Sequence, residues 1–238
     1  MSRLLLTSAL LVTFAVPAFA QDTRYDAAMV TGDVRGVSDY RVRGISRSDE
    51  APAVQGKIQF NAPVGLYGGV GASTVDLGDA QVEGILFGGY KADFDGVQLD
   101  GKISYNAYDD DAGDVDLDYW EFVGTAGYDF DVFYGSLMWA ASPDYIAESG
   151  MSLYYGADVS VPLEYGFNLN GHVGFQFIDD ESNYAEDYAD WSLGLWYNWA
   201  EWDVDFGLQY VDTDIEDDEC FDRCDATVVF TAKKPFGW

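Results

Sequence analysis

Most of this chain alternates between apolar and polar residues with a period of two, and few folds accept that pattern at such length. In the stretch WDVDFGLQY, Trp202, Val204, Phe206, Leu208 and Tyr210 share one face, while Asp203, Asp205, Gly207 and Gln209 share the other. FNLNGHVGFQF sets Phe167, Leu169, Val173, Phe175 and Phe177 against Asn168, Asn170, His172 and Gln176. WSLGLWYNW and VQLDGKISYNA repeat the arrangement. This is the signature of strands with one apolar and one polar face. About twelve such runs, each of roughly 9–13 residues, start near residues 28, 53, 66, 82, 97, 119, 132, 152, 167, 190, 202 and 225.

The connections restrict the fold further. APVG, DFDG, DFD, EYG and AEW are short, and they alternate along the chain with longer or more polar segments such as DDDAGDVDLD, SPDYIAESG, DDESNYAEDYAD and DTDIEDDECFDRCD. A soluble sandwich has no reason to sort its loops by length. A transmembrane barrel does, with short turns on the periplasmic side and long loops outside. The hydrocarbon core offers no hydrogen bonds, so each backbone amide and carbonyl must be paired within the protein, and a closed barrel does this without an edge. The expected fold is therefore all-β: a closed antiparallel transmembrane barrel of about twelve strands. An even strand number places both termini in the periplasm. Aromatic residues at the ends of runs (Trp191, Trp199, Trp202, Tyr210) match interfacial girdles, and Phe236 and Trp238 end the final run.

The first twenty residues read as a leader. Arg3 precedes the apolar run LLLTSALLVTFAV, and Ala18-Phe19-Ala20 forms an A-x-A cleavage site, giving residues 1–20 as signal peptide and 21–238 as one barrel domain. The apolar run is too short to span a membrane as a helix. A net charge of −30, from 12 Lys+Arg against 42 Asp+Glu, argues against nucleic acid as a partner. Cys220 and Cys224 are the chain's 2 cysteines. In an exported chain their spacing makes a local disulfide the default; a metal site would need further soft or imidazole ligands nearby.

One block carries a family resemblance. Within VSDYRVRGISRSDEAPAVQG, Ser38, Asp39, Tyr40, Arg41, Arg43, Gly44, Ile45, Ser46, Ser48, Asp49, Pro52, Ala53, Gln55 and Gly56 resemble the N-terminal signature of the TorF porin family. DYWEFVGTAGYDF, SPDYIAESG, DWSLGLWYNWAEWDVDFGLQYVDTD and DATVVFTAKKPF extend the resemblance over the chain that follows the leader. Val42 and Arg47 depart from the pattern, and Gly237-Trp238 extends past its usual end. The resemblance implies a bacterial outer-membrane barrel that passes small solutes. It supplies no catalytic residues, cofactor or metal. The partners it implies are outer-membrane lipids, small solutes or cations, and the machinery that assembles barrels.

Charge and parity nominate candidate pore residues. Carrying the parity of the first run forward puts Val30, Val34, Tyr40 and Val42 on the lipid side and Arg35, Arg41 and Arg43 inside, near the outer mouth, facing inward acids such as Glu121. Charge on the lipid face costs about 2–4 kcal/mol at mid-depth, so the lumen is the favourable side. Arg47 falls beyond the strand on this reading. His172, the only histidine, points inward at mid-strand, where a lumen hydrogen-bonding role fits better than a lipid-hydrolysing triad. Residues 109–118, 179–190 and 212–225 hold 20 of the 42 acids. They read as a solvated repulsive surface, as a vestibule that attracts cations, or as divalent-cation bridges to lipid phosphates. The leading expectation is a channel for passive diffusion of small solutes or ions, with cation preference. The rivals are a structural or adhesive barrel with a plugged lumen and, further off, a lipid-acting enzyme.

Overall fold

The computed structural model describes residues 29–109, 116–180, 184–215, 220 and 223–238. The expected leader, and parts of the three acidic loops, lie outside the described residues. Twelve strands close into one antiparallel barrel: β1 (Val30–Val37), β4 (Ala53–Asn61), β5 (Leu66–Leu77), β6 (Ala80–Phe94), β7 (Val97–Tyr108), β8 (Tyr119–Asp129), β9 (Tyr134–Ser142), β10 (Ser152–Pro162), β11 (Phe167–Ile178), β12 (Tyr188–Trp199), β13 (Val204–Thr213) and β14 (Thr227–Gly237). Each pairs with its sequence neighbour, and β1 closes the ring by pairing with both β4 and β14. Trp238 adds a last rung, exchanging backbone hydrogen bonds with Val30 at 3.1 and 3.0 Å.

Exposure follows the period of two. Val34, Phe60, Leu66, Leu86, Leu137, Leu193 and Leu208 stand exposed on the outer face, while Gln55, Ser104, Asn106, Thr125, Asn168 and Gln176 are buried on the inner one. An apolar band of this extent is a lipid-facing surface. Aromatic pairs border it at the short-turn end, with Phe130–Phe133 centroids 4.7 Å apart and Trp199–Trp202 6.0 Å apart. Tyr105–Trp120, at 4.8 Å, borders it toward the other end.

Two expectations need correction. First, loop lengths do not alternate strictly. Gly78 and Asp79 alone join β5 to β6, with Leu77 paired to Ala80, so this outer connection is a tight turn. Gly-Asp suits such a two-residue hairpin. Second, β1 does not continue through Tyr40 and Val42. Its last wall contacts are the Ser38 amide donating to the Phe230 carbonyl and the Phe230 amide donating to Ser38 Oγ, both at 2.9 Å. The segment to Ala53 then leaves the wall and folds into the lumen. Tyr40 and Val42 are buried there, at 5% and 7% exposure, rather than facing lipid.

Inside the lumen the segment makes its own hairpin, β2 (Arg41–Val42) against β3 (Ile45–Ser46). Arg43 and Gly44 form its two-residue turn with φ of 51° and 83°. Positive φ at both positions is the turn that matches strand twist, and it favours glycine at the second. A Cβ on Gly44 would also overlap Thr213 Cγ2. Gly44→Ala should therefore cost about 1–2 kcal/mol from backbone alone. Amide exchange at Val42 and Ile45 should accelerate while the wall strands keep their protection. Unchanged protection at those two amides would contradict this account of the turn.

Candidate functional site: a charged hairpin in the lumen

Tyr40, Val42 and Ile45 pack with Tyr145 and Ile146 of loop 143–151, with Tyr184 and Ala185 of loop 179–187, and with Ile215. The Cys220–Cys224 disulfide joins the same packing, with its Cα atoms 6.0 Å apart. The outer half of the lumen is thus occupied by protein, and the three arginines of the hairpin do different work there.

Arg41 holds the hairpin together. It pairs with Asp39 and with Glu50 Oε1 at 2.7 Å, and it donates to the carbonyls of Gly44 and Asp225 at 3.0 and 2.7 Å. Asp39 in turn accepts from Ser46 Oγ at 2.6 Å. Arg43 crosses to the far wall. Its Nη2 donates to Glu121 Oε1 of β8 at 2.6 Å and its Nη1 to Gln176 Oε1 of β11 at 2.8 Å, with the guanidinium 4.2 Å over the Tyr154 ring. Burial works against the Arg43 charge, but the adjacent Glu121 carboxylate raises its pKa above the usual arginine value, so it stays charged.

Arg47 lies beyond the strand, as the sequence reading placed it, but it is fully buried in the lumen. Its one side-chain hydrogen bond among the described residues goes to Tyr145 Oη at 3.2 Å, and its guanidinium lies 5.3 Å over the Tyr184 ring. Nε and Nη1 have no partner among the described residues. Its amide donates to the Tyr40 carbonyl and its own carbonyl accepts from the Asp76 amide, at 2.6 and 2.8 Å, so the backbone is fixed even though the charge is unmatched.

The other nominated residues lie deeper on the wall. Arg35 pairs with Asp33 of its own strand at 2.6 Å, apart from the hairpin cluster. His172 is held across three strands: Nδ1 lies 2.7 Å from Asp158 Oδ1, Nε2 lies 3.1 Å from Asp190 Oδ1, and Tyr154 Oη lies 2.7 Å from Nε2. Tyr154 stacks against both His172 and Arg43, so it connects the histidine network to the hairpin tip.

Sequence reasoning nominated neither Glu83 nor the tyrosines of the outer loops. Glu83 accepts from Tyr40 Oη at 2.7 Å and from Tyr108 Oη at 2.8 Å. It sits on the glycine-rich β6, whose inward side is hard to read from sequence. The Arg43-Gly44 pair was a usable signal for the hairpin, since an X-Gly pair flanked by Val and Ile marks a two-residue turn.

The interior charge balance is unlike that of the whole chain. Of the 12 Lys+Arg, eight lie inside: Arg35, Arg41, Arg43, Arg47 and Lys233 buried, Lys57 against Asp33, Lys91 over the Tyr67 ring, and Lys102 among Glu121, Lys57, Asp100 and Arg43. Asp33, Glu83, Asp100, Glu121, Asp158, Asp190 and Asp205 face them from the wall. The lumen is close to neutral, so the −30 of the chain resides chiefly on its loops and turns.

A closed twelve-stranded barrel with a lipid-facing belt and a polar, charged interior defines a transmembrane β-barrel of porin architecture, whose place in bacteria is the outer membrane. The chain belongs to a bacterial family described as "Bacterial protein of unknown function (Gcw_chp)", whose profile matches residues 22–236. Among solved structures, a KdgM porin superposes with a TM-score of 0.60 at 6% identity, covering 87% of this chain and 99% of that one. A KdgM porin in complex with disordered oligogalacturonate gives 0.61 at 6% identity over the same shares. A NanC porin gives 0.57 at 10% identity, covering 87% and 99%. At these identities the likeness speaks for the fold. No curated protein matches the chain.

Proposed function

We propose that the protein is an outer-membrane porin, a channel rather than an enzyme, through which small solutes or ions diffuse passively past the 38–52 hairpin. The observation that carries this reading is the lumen itself. Its wall carries Asn, Gln, Asp and Lys through the membrane depth, below a plug that joins an apolar cluster around Tyr40, Val42 and Ile45 to the charged contacts of Arg41 and Arg43. The resemblance of residues 38–56 to TorF porins supports the same reading, as does the KdgM barrel seen with an oligogalacturonate. Arg35, Arg41, Arg43, Glu121 and His172 remain the candidate residues along the path.

The finer proposal is cation preference at the mouth. Three loop regions hold 20 of the 42 acids, and their field concentrates cations before the constriction, where the hairpin arginines oppose it. In planar bilayers under a salt gradient, the reversal potential should indicate cation preference, and more so at low salt, where the screening length is about 30 Å rather than 10 Å. Arg43→Met with Arg47→Met should increase that preference. Arg41→Met should act mainly by loosening the hairpin. A conducting pore whose ion preference ignores both salt and the double variant would refute this reading. The occupied outer lumen is the observation favouring the rival, a sealed structural barrel, and that rival predicts no conductance at all.

A further inference from the structure

The packing around the hairpin tip leaves one chemical demand unmet. Among the described residues, Arg43 Nε, Arg47 Nε and Nη1, Tyr184 Oη and Tyr188 Oη are all buried without a hydrogen-bond partner. They belong to one neighbourhood. The rings of Tyr145 and Tyr184 lie 5.7 Å apart, Arg47 lies over Tyr184, and Arg43 lies 5.6 Å over Tyr145 and within the electrostatic surroundings of Tyr188. Each of the unmatched groups can donate, and the arginine nitrogens can do nothing else. Buried polar groups are nearly always paired, and a cluster of unpaired donors around two guanidiniums lacks an acceptor that carries negative charge.

We propose that Arg43, Arg47, Tyr184 and Tyr188 form a constriction subsite for the carboxylate or similar oxyanion of an acidic solute. The proposal rests on the porin reading and names the class of solute for which that pore is built. With the hairpin seated, Arg43 and Arg47 are 1% and 0% exposed, so a solute reaches them only as the hairpin yields. Arg47 has no carboxylate to leave behind, whereas Arg43 must exchange Glu121 for the incoming anion. An oxyanion satisfies in the open state donors that the closed state leaves unmatched. It therefore favours opening by differential binding, which is the only way a ligand can shift such an equilibrium. A neutral polyol of the same size has no such advantage. The acidic mouth repels anions, but only over a screening length of about 8 Å at physiological ionic strength. Acidic solutes should thus gain passage as salt rises, opposite to the trend for cations.

The test uses the purified full chain in liposomes, with gluconate and sorbitol as size-matched charged and neutral probes. The wild-type protein should pass gluconate about tenfold faster than sorbitol near physiological salt, with the ratio rising as salt increases, the advantage expected of one or two charge-assisted hydrogen bonds. Arg47→Met should bring the ratio close to one, whatever it does to the absolute rates through hairpin stability. If Arg47→Met does not fold, Tyr184→Phe with Tyr188→Phe should lower the ratio by removing two donors. A wild-type ratio of one, or a ratio unmoved by these variants in a pore that conducts, overturns the subsite alone. No flux of either probe, through the wild type or through a barrel lacking the hairpin, overturns the porin reading and the subsite with it.

Discussion

Replacing residues 40–49 with a Gly-Gly link is expected to raise single-channel conductance severalfold while the barrel stays folded. The hairpin contributes no strand to the wall. Val37 is already paired with Ala53, so the two ends it joins are neighbours across one rung, about 5 Å apart, and a short turn can close them. Wall rungs of β1 to β4 and β1 to β14 run through residues 30–37 only, and none depends on the excised segment. What is lost is the packing of Tyr40, Val42 and Ile45 on the outer-loop tyrosines and the burial of three guanidiniums. Conductance should therefore rise because the occupant of the outer lumen has gone, and SDS-PAGE heat modifiability should still report a folded barrel. A folded variant with unchanged conductance would mean that ions do not pass where the hairpin sits.

The second large effect is expected at Glu121. This carboxylate and Arg43 are 2% and 1% exposed and 2.6 Å apart. Glu121→Leu leaves the Arg43 charge buried without its partner, which should weaken the seated hairpin by about 3–5 kcal/mol. Arg47 already sits unmatched nearby, so the closed state has little reserve against a second uncompensated charge. Single-channel records should show more frequent or longer openings. Adding Arg43→Met removes the orphaned charge and should restore most of the closed-state stability, an interaction visible in a double-mutant cycle. If the single variants and the pair shift open probability additively, Arg43 and Glu121 do not act as a unit, and the hairpin is held elsewhere.

The wall of this molecule was legible in its sequence because lipid tolerates only one answer. A residue facing hydrocarbon must be apolar and its neighbours inward need not be, so runs such as Trp202 to Tyr210 show their facing directly. The final strand, its Phe236 and its Trp238 are read the same way. The hairpin was misread for the complementary reason. Tyr40 and Val42 continue the apolar alternation of β1, and nothing in that rhythm says that their apolar surroundings are protein rather than lipid. The change of partner is set by β4, which starts its pairing at Val37 and leaves residues 39–52 without a wall position. That is a tertiary fact, expressed locally only by the positive-φ pair Arg43-Gly44.

Individual partners were less legible than faces. Parity could place Arg43 and Glu121 on the same side of the wall, and the structure brings them together. It could not show that Arg41 would turn back on Asp39 and Glu50, or that Arg47 would enter the lumen and rest on tyrosine rings. Those outcomes depend on where Tyr145, Tyr154 and Tyr184 come to lie, and loop composition alone does not specify that.

Whether the lumen is a path is tested most directly by planar-bilayer recording of the purified, heat-modifiable full chain. The prediction is discrete conductance steps from the wild type, enlarged when residues 40–49 are excised, with cation preference that strengthens as salt is lowered. A folded barrel that gives no conductance above the bare bilayer, with or without the hairpin, would contradict it and identify a sealed structural barrel instead.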